Sequence, residues 1–234
     1  MKPLFAPSMM CMDITKTKEQ LAVLNRYCDL YHVDIMDGHF VKNIALSVDF
    51  IKAIKPLATL PIDAHMMVTD PSNYLHDLAK SGASYITVHV ETVTTNAFRV
   101  LRDIRLLGCK AGIAVCPLTP LSSFECLLGE IDIITLMTVD PGYVGNKFIP
   151  QMIDKVAAVN KIRQQQKYDF IIQCDGAIGK ETYKPLYDGG ARAFVMGSSG
   201  LFFKNTVSNL EEACLRMHNE FETSTGVATW MIKE

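Results

Sequence analysis

An imidazole and a carboxylate stand two residues apart inside an apolar run, His32-Val33-Asp34-Ile35-Met36. In a β-strand, positions i and i+2 share a face. His32, Asp34 and Met36 therefore point one way, and Tyr31, Val33 and Ile35 the other. Burying a charge is costly unless something pairs with it. A metal ion is one such partner, because neutral imidazole and carboxylate are both good ligands. A His–Asp hydrogen bond inside a core is the other. Similar groups recur along the chain: His65 in Ile62-Asp63-Ala64-His65-Met66, and Asp175 in Gln173-Cys174-Asp175-Gly176.

The elements that must position these groups follow from the pattern. Short β-rich runs fall at residues 4–9, 30–36, 61–67, 85–89, 110–115, 131–137, 170–175 and 193–197. Helical patterns lie between them, at 15–28, 72–81, 96–107, 150–166, 180–188 and 207–221. Start signals come from Asp13, Thr15 and Asp70-Pro71, and stop signals from Gly82, Gly108 and Gly189-Gly190. Alternating strand and helix imply a parallel sheet. Eight units in a 234-residue chain predict a closed (β/α)8 TIM barrel, an α/β fold, as a single domain over residues 1–222. Residues 223–234 are expected as a C-terminal tail, with Trp230 favouring its docking. An open doubly wound sheet is the competing architecture. It would show a Gly-rich fingerprint after the first strand, where this chain has Ser8-Met9-Met10-Cys11.

In such barrels the reactive groups sit at the C-terminal ends of the strands. His32, Asp34, His65 and Asp175 come from three predicted strands, and barrel closure would gather them into one metal site. Two loops on the same rim suit an anion. Thr138-Val139-Asp140-Pro141-Gly142-Tyr143-Val144-Gly145 follows the sixth strand, and Gly197-Ser198-Ser199-Gly200 ends the eighth. Glycines there let backbone N–H groups approach a phosphate closely. Taken singly, either segment reads equally well as a plain turn.

Composition removes other classes. The net charge of −2 provides no basic field for nucleic acid. No apolar run approaches the roughly 20 residues of a membrane span. Residues 1–7 lack the apolar core of a secretory signal. The seven cysteines form no Cys-x-x-Cys pair, so reduced thiols and a cytoplasmic location are expected.

Along nearly its whole length the chain resembles the ribulose-phosphate 3-epimerase family. The matching segments are Ala6-Pro7-Ser8, residues 32–41 from His32 through Val41, Asp63-Ala64-His65-Met66-Met67-Val68, Met137-Thr138-Val139-Asp140-Pro141-Gly142, Cys174-Asp175-Gly176 and Gly197-Ser198. Within the family it is most similar to the branch acting on D-allulose 6-phosphate, through residues 8–13, Leu46-Ser47, Met67-Val68-Thr69, Phe148-Ile149-Pro150 and Ser199-Gly200-Leu201-Phe202. The resemblance implies one divalent metal ion (Zn, Mn, Fe, Co or Mg) held by His32, Asp34, His65 and Asp175. It implies substrate contacts from Ser8, His65 and Asp175, and a phosphate grip from Gly142–Gly145, Gly176-Ala177 and Gly197-Ser198, with Ser199 in the same loop. Met36, Met67 and Met137 would line the cavity. A homo-oligomer, dimer or hexamer, is implied as well. Four segments depart from the family: Gly142-Tyr143-Val144-Gly145-Asn146 for Gly-Phe-Gly-Gly-Gln, Cys116-Pro117 for Asn-Pro, Cys174-Asp175-Gly176-Ala177 for Val-Asp-Gly-Gly, and Lys42 for a Pro. None removes a ligand or a carboxylate.

The implied reaction is epimerisation at carbon 3 of a phosphorylated ketose. A proton leaves the carbon next to a carbonyl and returns on the other face, so two proton-carrying groups are needed. Asp34 and Asp175 are the expected pair, and the metal would steady the enediolate charge. D-allulose 6-phosphate to D-fructose 6-phosphate is the first expectation, and D-ribulose 5-phosphate to D-xylulose 5-phosphate the alternative. Cys116 and Tyr143-Val144 are expected where one carbon of substrate length would be accommodated. A sugar-phosphate-binding protein without catalysis would lack one of the carboxylates. A Schiff-base aldolase would need a lysine at a strand end, whereas Lys110 begins its strand. His39, His76, His89 and His218 stay unassigned; His89-Val90-Glu91 is placed either to brace the site or to serve the core.

Overall fold

In the computed structural model, residues 2–203 and 209–229 are described. The strands are β1 (Leu4–Pro7), β2 (Tyr31–Met36), β3 (Ile62–Met67), β4 (Tyr85–His89), β5 (Lys110–Val115), β6 (Ile133–Met137), β7 (Ile171–Asp175) and β8 (Ala193–Met196). All pair in parallel, in the order β1-β8-β7-β6-β5-β4-β3-β2. A bridge between Ser8 and His32, with Asp29 N–H donating to the Phe5 carbonyl at 2.9 Å, brings β1 against β2 and nearly closes the barrel. The expected (β/α)8 architecture is present, each expected strand at its place.

The helices are α1 (Thr17–Tyr27), α2 (Val48–Ile54), α3 (Leu75–Ser81), α4 (Ala97–Leu106), α5 (Met152–Gln166), α6 (Lys180–Gly189) and α7 (Leu210–Thr225). Helix α2 has no counterpart in the sequence expectation. It has only 7 residues, begins at a Ser47 cap and packs just Ile51 and Ile54 inward, too few for a periodic signal. Between β5 and β6 the chain makes only short 3₁₀ turns, Leu121–Ser123 and Glu125–Leu127. The last helix runs to Thr225 rather than 221; residues 207 and 208 of its expected start, and Trp230, lie outside the described residues. After α7 the chain folds back: Thr229 is buried, and its N–H and hydroxyl both donate to Glu222 at 2.8 Å.

The apolar core lies between strands and helices, not inside the barrel. Tyr31, Val33, Ile35, Ile62, Ala64 and Met66 face outward into it. The alternate residues turn inward, where a largely polar layer fills the barrel: His32, Asp63, Thr87, Thr135 and Gln173 are all fully buried. On β2 and β3 parity thus sets an outward apolar face against an inward, largely polar one. Strand β5 contributes Gly112 to this layer, where a Cβ would come within 2.3 Å of the Thr87 hydroxyl.

Helix α7 fastens the barrel's closing edge. The Phe221 ring meets those of Phe5, Tyr183, Phe194 and Tyr187 at centroid distances of 5.2–5.6 Å. Phe221 is fully buried. Phe221→Ala should therefore lose about 3–5 kcal/mol in urea unfolding. A loss under about 1 kcal/mol would show that this cluster does not hold the edge.

Candidate active site

The strand register builds the site. Asp34 pairs across to His65, and His32 to Asp63. Met137 is opposite Asp175. The result is a cluster of two imidazoles and two carboxylates, His32, Asp34, His65 and Asp175, whose donor atoms all lie within 4.8 Å of one another. His32 Nε2 is 3.1 Å from His65 Nδ1. Asp34 Oδ1 is 3.3 Å from His32 Nε2 and 3.2 Å from His65 Nδ1. Asp175 Oδ2 is 3.6 Å and 3.7 Å from the same two nitrogens. Donors about 2.1 Å from a common centre in a tetrahedron stand about 3.4 Å apart, so these separations fit a divalent ion.

Proton placement fits one too. His32 Nδ1 is 3.0 Å from Asp63 Oδ2, a carboxylate that Thr87 and Gln173 also hold, at 2.6 and 3.0 Å. Donation to Asp63 uses the hydrogen of a neutral His32 and leaves Nε2 bare toward the cluster. Burial disfavours the charged form of His32, but Asp34, Asp175 and Asp63 outweigh it and raise its proton affinity well above the ordinary value. Burial likewise opposes ionisation of Asp34, yet His32 and His65 hold its carboxyl far below the usual range. Negative charge gathers beside His32, and a metal cation would supply there the positive charge that a proton on His32 otherwise supplies.

Above the cluster opens a pocket. Ser8, Asp34 and Asp175 line it, as do Gly142, Tyr143, Val144, Gly145, Gly176, Ala177, Gly197, Ser198 and Ser199. The expected substrate contacts are thus brought together, except His65, which is fully buried and does not line the pocket. Met36, Met67 and Met137 form part of the wall as expected. Ser8 Oγ donates to Asp34 Oδ2 at 2.8 Å. Gly142 has φ +110°, and a Cβ there would stand 2.8 Å from Val41; Asn43 Nδ2 donates to its carbonyl at 2.7 Å. Ala177 occupies the left-handed region at φ +52°, a conformation that a non-glycine residue adopts at a cost.

The expected position of Cys116 is corrected. It lies outside the pocket, with its N–H donating to Glu91 at 2.9 Å and its sulfur 3.5 Å from His89 Nδ1. The contacts with Glu91 and His89 hold it beside β4, away from the pocket. Met10, Cys11, Val139 and Val195, which line the pocket, had no assignment from sequence; inward parity on β8 was a usable signal for Val195. Asp63 was also unassigned, although it shares a face with His65. Asp37, on the opposite parity from His32 and Asp34, holds the loop after β2, accepting from the N–H groups of His39, Phe40 and Thr69 at 2.8, 3.0 and 2.8 Å.

A parallel (β/α)8 barrel with a polar cluster at the strands' C-terminal ends is the arrangement in which barrel enzymes place their active sites. Solved structures agree on the fold. A mutant tryptophan synthase alpha-subunit from Pyrococcus furiosus superposes with a TM-score of 0.67 at 17% identity, covering 97% of this chain and 100% of that one. Sequence goes further. The model of the ribulose-phosphate 3 epimerase family matches residues 4–202. Ribulose-phosphate 3-epimerase from Mycobacterium tuberculosis is 36% identical over 197 residues, 84% of this chain and 85% of the relative. The protein of the same name from Synechocystis sp. is 38% identical over 196 residues, 83% and 85% of the two chains. That from Bacillus subtilis is 34% identical over 196 residues, 83% and 90%. The chain belongs to the ribulose-phosphate 3-epimerase family, and it is an isomerase of the epimerase class. No helix among the described residues is long and apolar enough to cross a membrane.

The buried polar side chains set an acid sensitivity. Burial brings His89 down to about 4 from an ordinary 6.5. Between those values the unfolded chain binds a proton that the folded one refuses, so stability falls as pH drops through that window. Glu91 extends the loss: burial would raise it, but hydrogen bonds from His89, Thr119 and Cys116 bring it down to about 2, so its contribution disappears between about pH 4.5 and 2. Urea unfolding of chelator-treated protein should weaken between pH 6.5 and 4, and His89→Asn should flatten that slope. An equal slope in the variant would mean that His89 is not held neutral.

Proposed function

We propose that this chain epimerises carbon 3 of a phosphorylated ketose, with D-ribulose 5-phosphate and D-xylulose 5-phosphate as the substrate pair. The observation that carries the reading is two carboxylates from separate strands, Asp34 on β2 and Asp175 on β7, lining one pocket with a glycine-rich rim. The names of the relatives support the pentose pair, reversing the order expected from the sequence.

His32, Asp34, His65 and Asp175 would hold the divalent ion. When bound, it supplies Lewis-acid stabilisation to the negative charge that builds on the substrate's oxygens. Asp34 and Asp175 act as the acid–base pair: one carboxylate takes the proton from carbon 3 and the other returns a proton to the opposite face. Ser8 steadies the ionised form of Asp34 through its 2.8 Å hydrogen bond. The backbone around Gly142–Gly145, Gly176-Ala177 and Gly197–Ser199 holds phosphate, remote from the reacting carbon, and its binding energy positions that carbon. Met36, Met67 and Met137 exclude water from the intermediate.

The second reading is the hexose pair, D-allulose 6-phosphate and D-fructose 6-phosphate. It is favoured by the branch-specific segments at residues 8–13 and 199–202, and Tyr143 and Val144 at the pocket's rim are where the extra carbon would be met.

A one-carbon difference in a shaped pocket is worth roughly 10- to 200-fold. The ratio of kcat/KM should favour D-ribulose 5-phosphate by at least about tenfold; the reverse preference would transfer the assignment to the hexose. Asp175→Asn should lose at least about a hundredfold in kcat while keeping its melting temperature. Near-normal turnover would remove Asp175 from the acid–base pair.

A further inference from the structure

A buried chain of hydrogen bonds runs from the cluster away from the pocket. His65 Nε2 is 3.0 Å from His89 Nε2, and His89 Nδ1 is 3.1 Å from Glu91 Oε2. Both histidines are fully buried. Two imidazole nitrogens at that distance share one hydrogen, so one donates and the other accepts. The two histidines alone do not fix which. Its end does: an ionised carboxylate only accepts. His89 therefore donates through Nδ1 to Glu91, accepts at Nε2, and takes the hydrogen of His65 Nε2. His65 Nδ1 is left with a bare lone pair facing His32, Asp34 and Asp175.

Glu91 itself is fixed. Its Oε1 accepts from the Cys116 N–H at 2.9 Å and the Thr119 hydroxyl at 2.5 Å. Lys155 secures that loop by donating to the carbonyls of Pro117 and Thr119 at 2.5 and 2.7 Å. His89, Glu91 and Cys116 lie close enough together to resemble a second ligand set. The carboxylate's partners are already placed, however, so the group is built as a brace.

We propose that Glu91 is a positioning residue that sets the direction of this hydrogen-bond chain and thereby keeps His65 Nδ1 free to ligate. The proposal rests on the reading of His65 as a metal ligand. It distinguishes direction from mere packing, because a near-isosteric change reverses the chain. In Glu91→Gln, the Cys116 N–H, which can only donate, still points at the Oε1 position, so the carbonyl oxygen must sit there. The amide NH₂ then occupies the Oε2 position, facing His89 Nδ1, and can only donate. His89 must carry its hydrogen on Nε2, His65 must accept at Nε2, and a hydrogen appears on His65 Nδ1, where it blocks ligation. Glu91→Asp keeps a carboxylate that only accepts.

The test uses metal-free protein labelled with ¹⁵N-histidine. Long-range ¹H–¹⁵N correlation spectra identify which ring nitrogen carries the hydrogen, and Zn²⁺ affinity is measured against a competing chelator. The wild type and Glu91→Asp should show His65 protonated on Nε2, and Glu91→Gln on Nδ1. Zn²⁺ binding should weaken about 10- to 100-fold in Glu91→Gln and less than tenfold in Glu91→Asp. The proposal is overturned by a wild-type His65 protonated on Nδ1, by a Glu91→Gln spectrum like the wild type's, or by Glu91→Asp behaving as Glu91→Gln does. A wild type that binds no Zn²⁺ would end the reading of His65 as a ligand, while the spectra would still judge the direction of the chain.

Discussion

Four lone-pair donors converge at the floor of the pocket, and each imidazole has its other nitrogen engaged: His32 with Asp63, His65 with His89. Such a convergence is unstable by itself, since buried negative charge without a partner costs several kcal/mol. Much of the inner layer answers to it. Thr87 and Gln173 serve Asp63, Glu91 serves His89, and Ser8 serves Asp34. Around the cluster the barrel interior is polar, and the main hydrophobic core lies outside the sheet, under the helices.

That division explains how much of the site was legible in the sequence. Strand parity is a property of the backbone, so His32 and Asp34 sharing a face needed no tertiary information. Barrel closure then made neighbours of groups more than a hundred residues apart. What was illegible depends on register and on loop path. Asp63 is opposite His32 because β2 and β3 pair at that offset, which no spacing rule specifies. Cys116 follows its strand directly, yet the chain there turns toward Glu91 instead of the pocket. Helix α2 escaped because two buried residues in seven carry no period.

The glycine-rich rim shows the same interplay of backbone and side chain. Gly142 and Gly176 adopt positive φ where a Cβ would strike Val41 or Val139, so glycine is required at both. At the neighbouring family glycines this chain carries Val144 and Ala177. Val144 is half exposed at the rim, and Ala177 accepts a left-handed conformation. The loop can therefore keep its shape with fewer glycines. Family membership follows from the whole chain.

The central claim is that two carboxylates on separate strands serve opposite faces of one carbon. Epimerisation by the wild-type enzyme in D₂O, sampled within the first few per cent of conversion, tests it most directly. With two acid–base groups, product should carry deuterium at carbon 3 from the outset while remaining substrate stays unlabelled. Early product that keeps the substrate's own hydrogen would mean that a single group handles both faces, and the two-carboxylate account would fail.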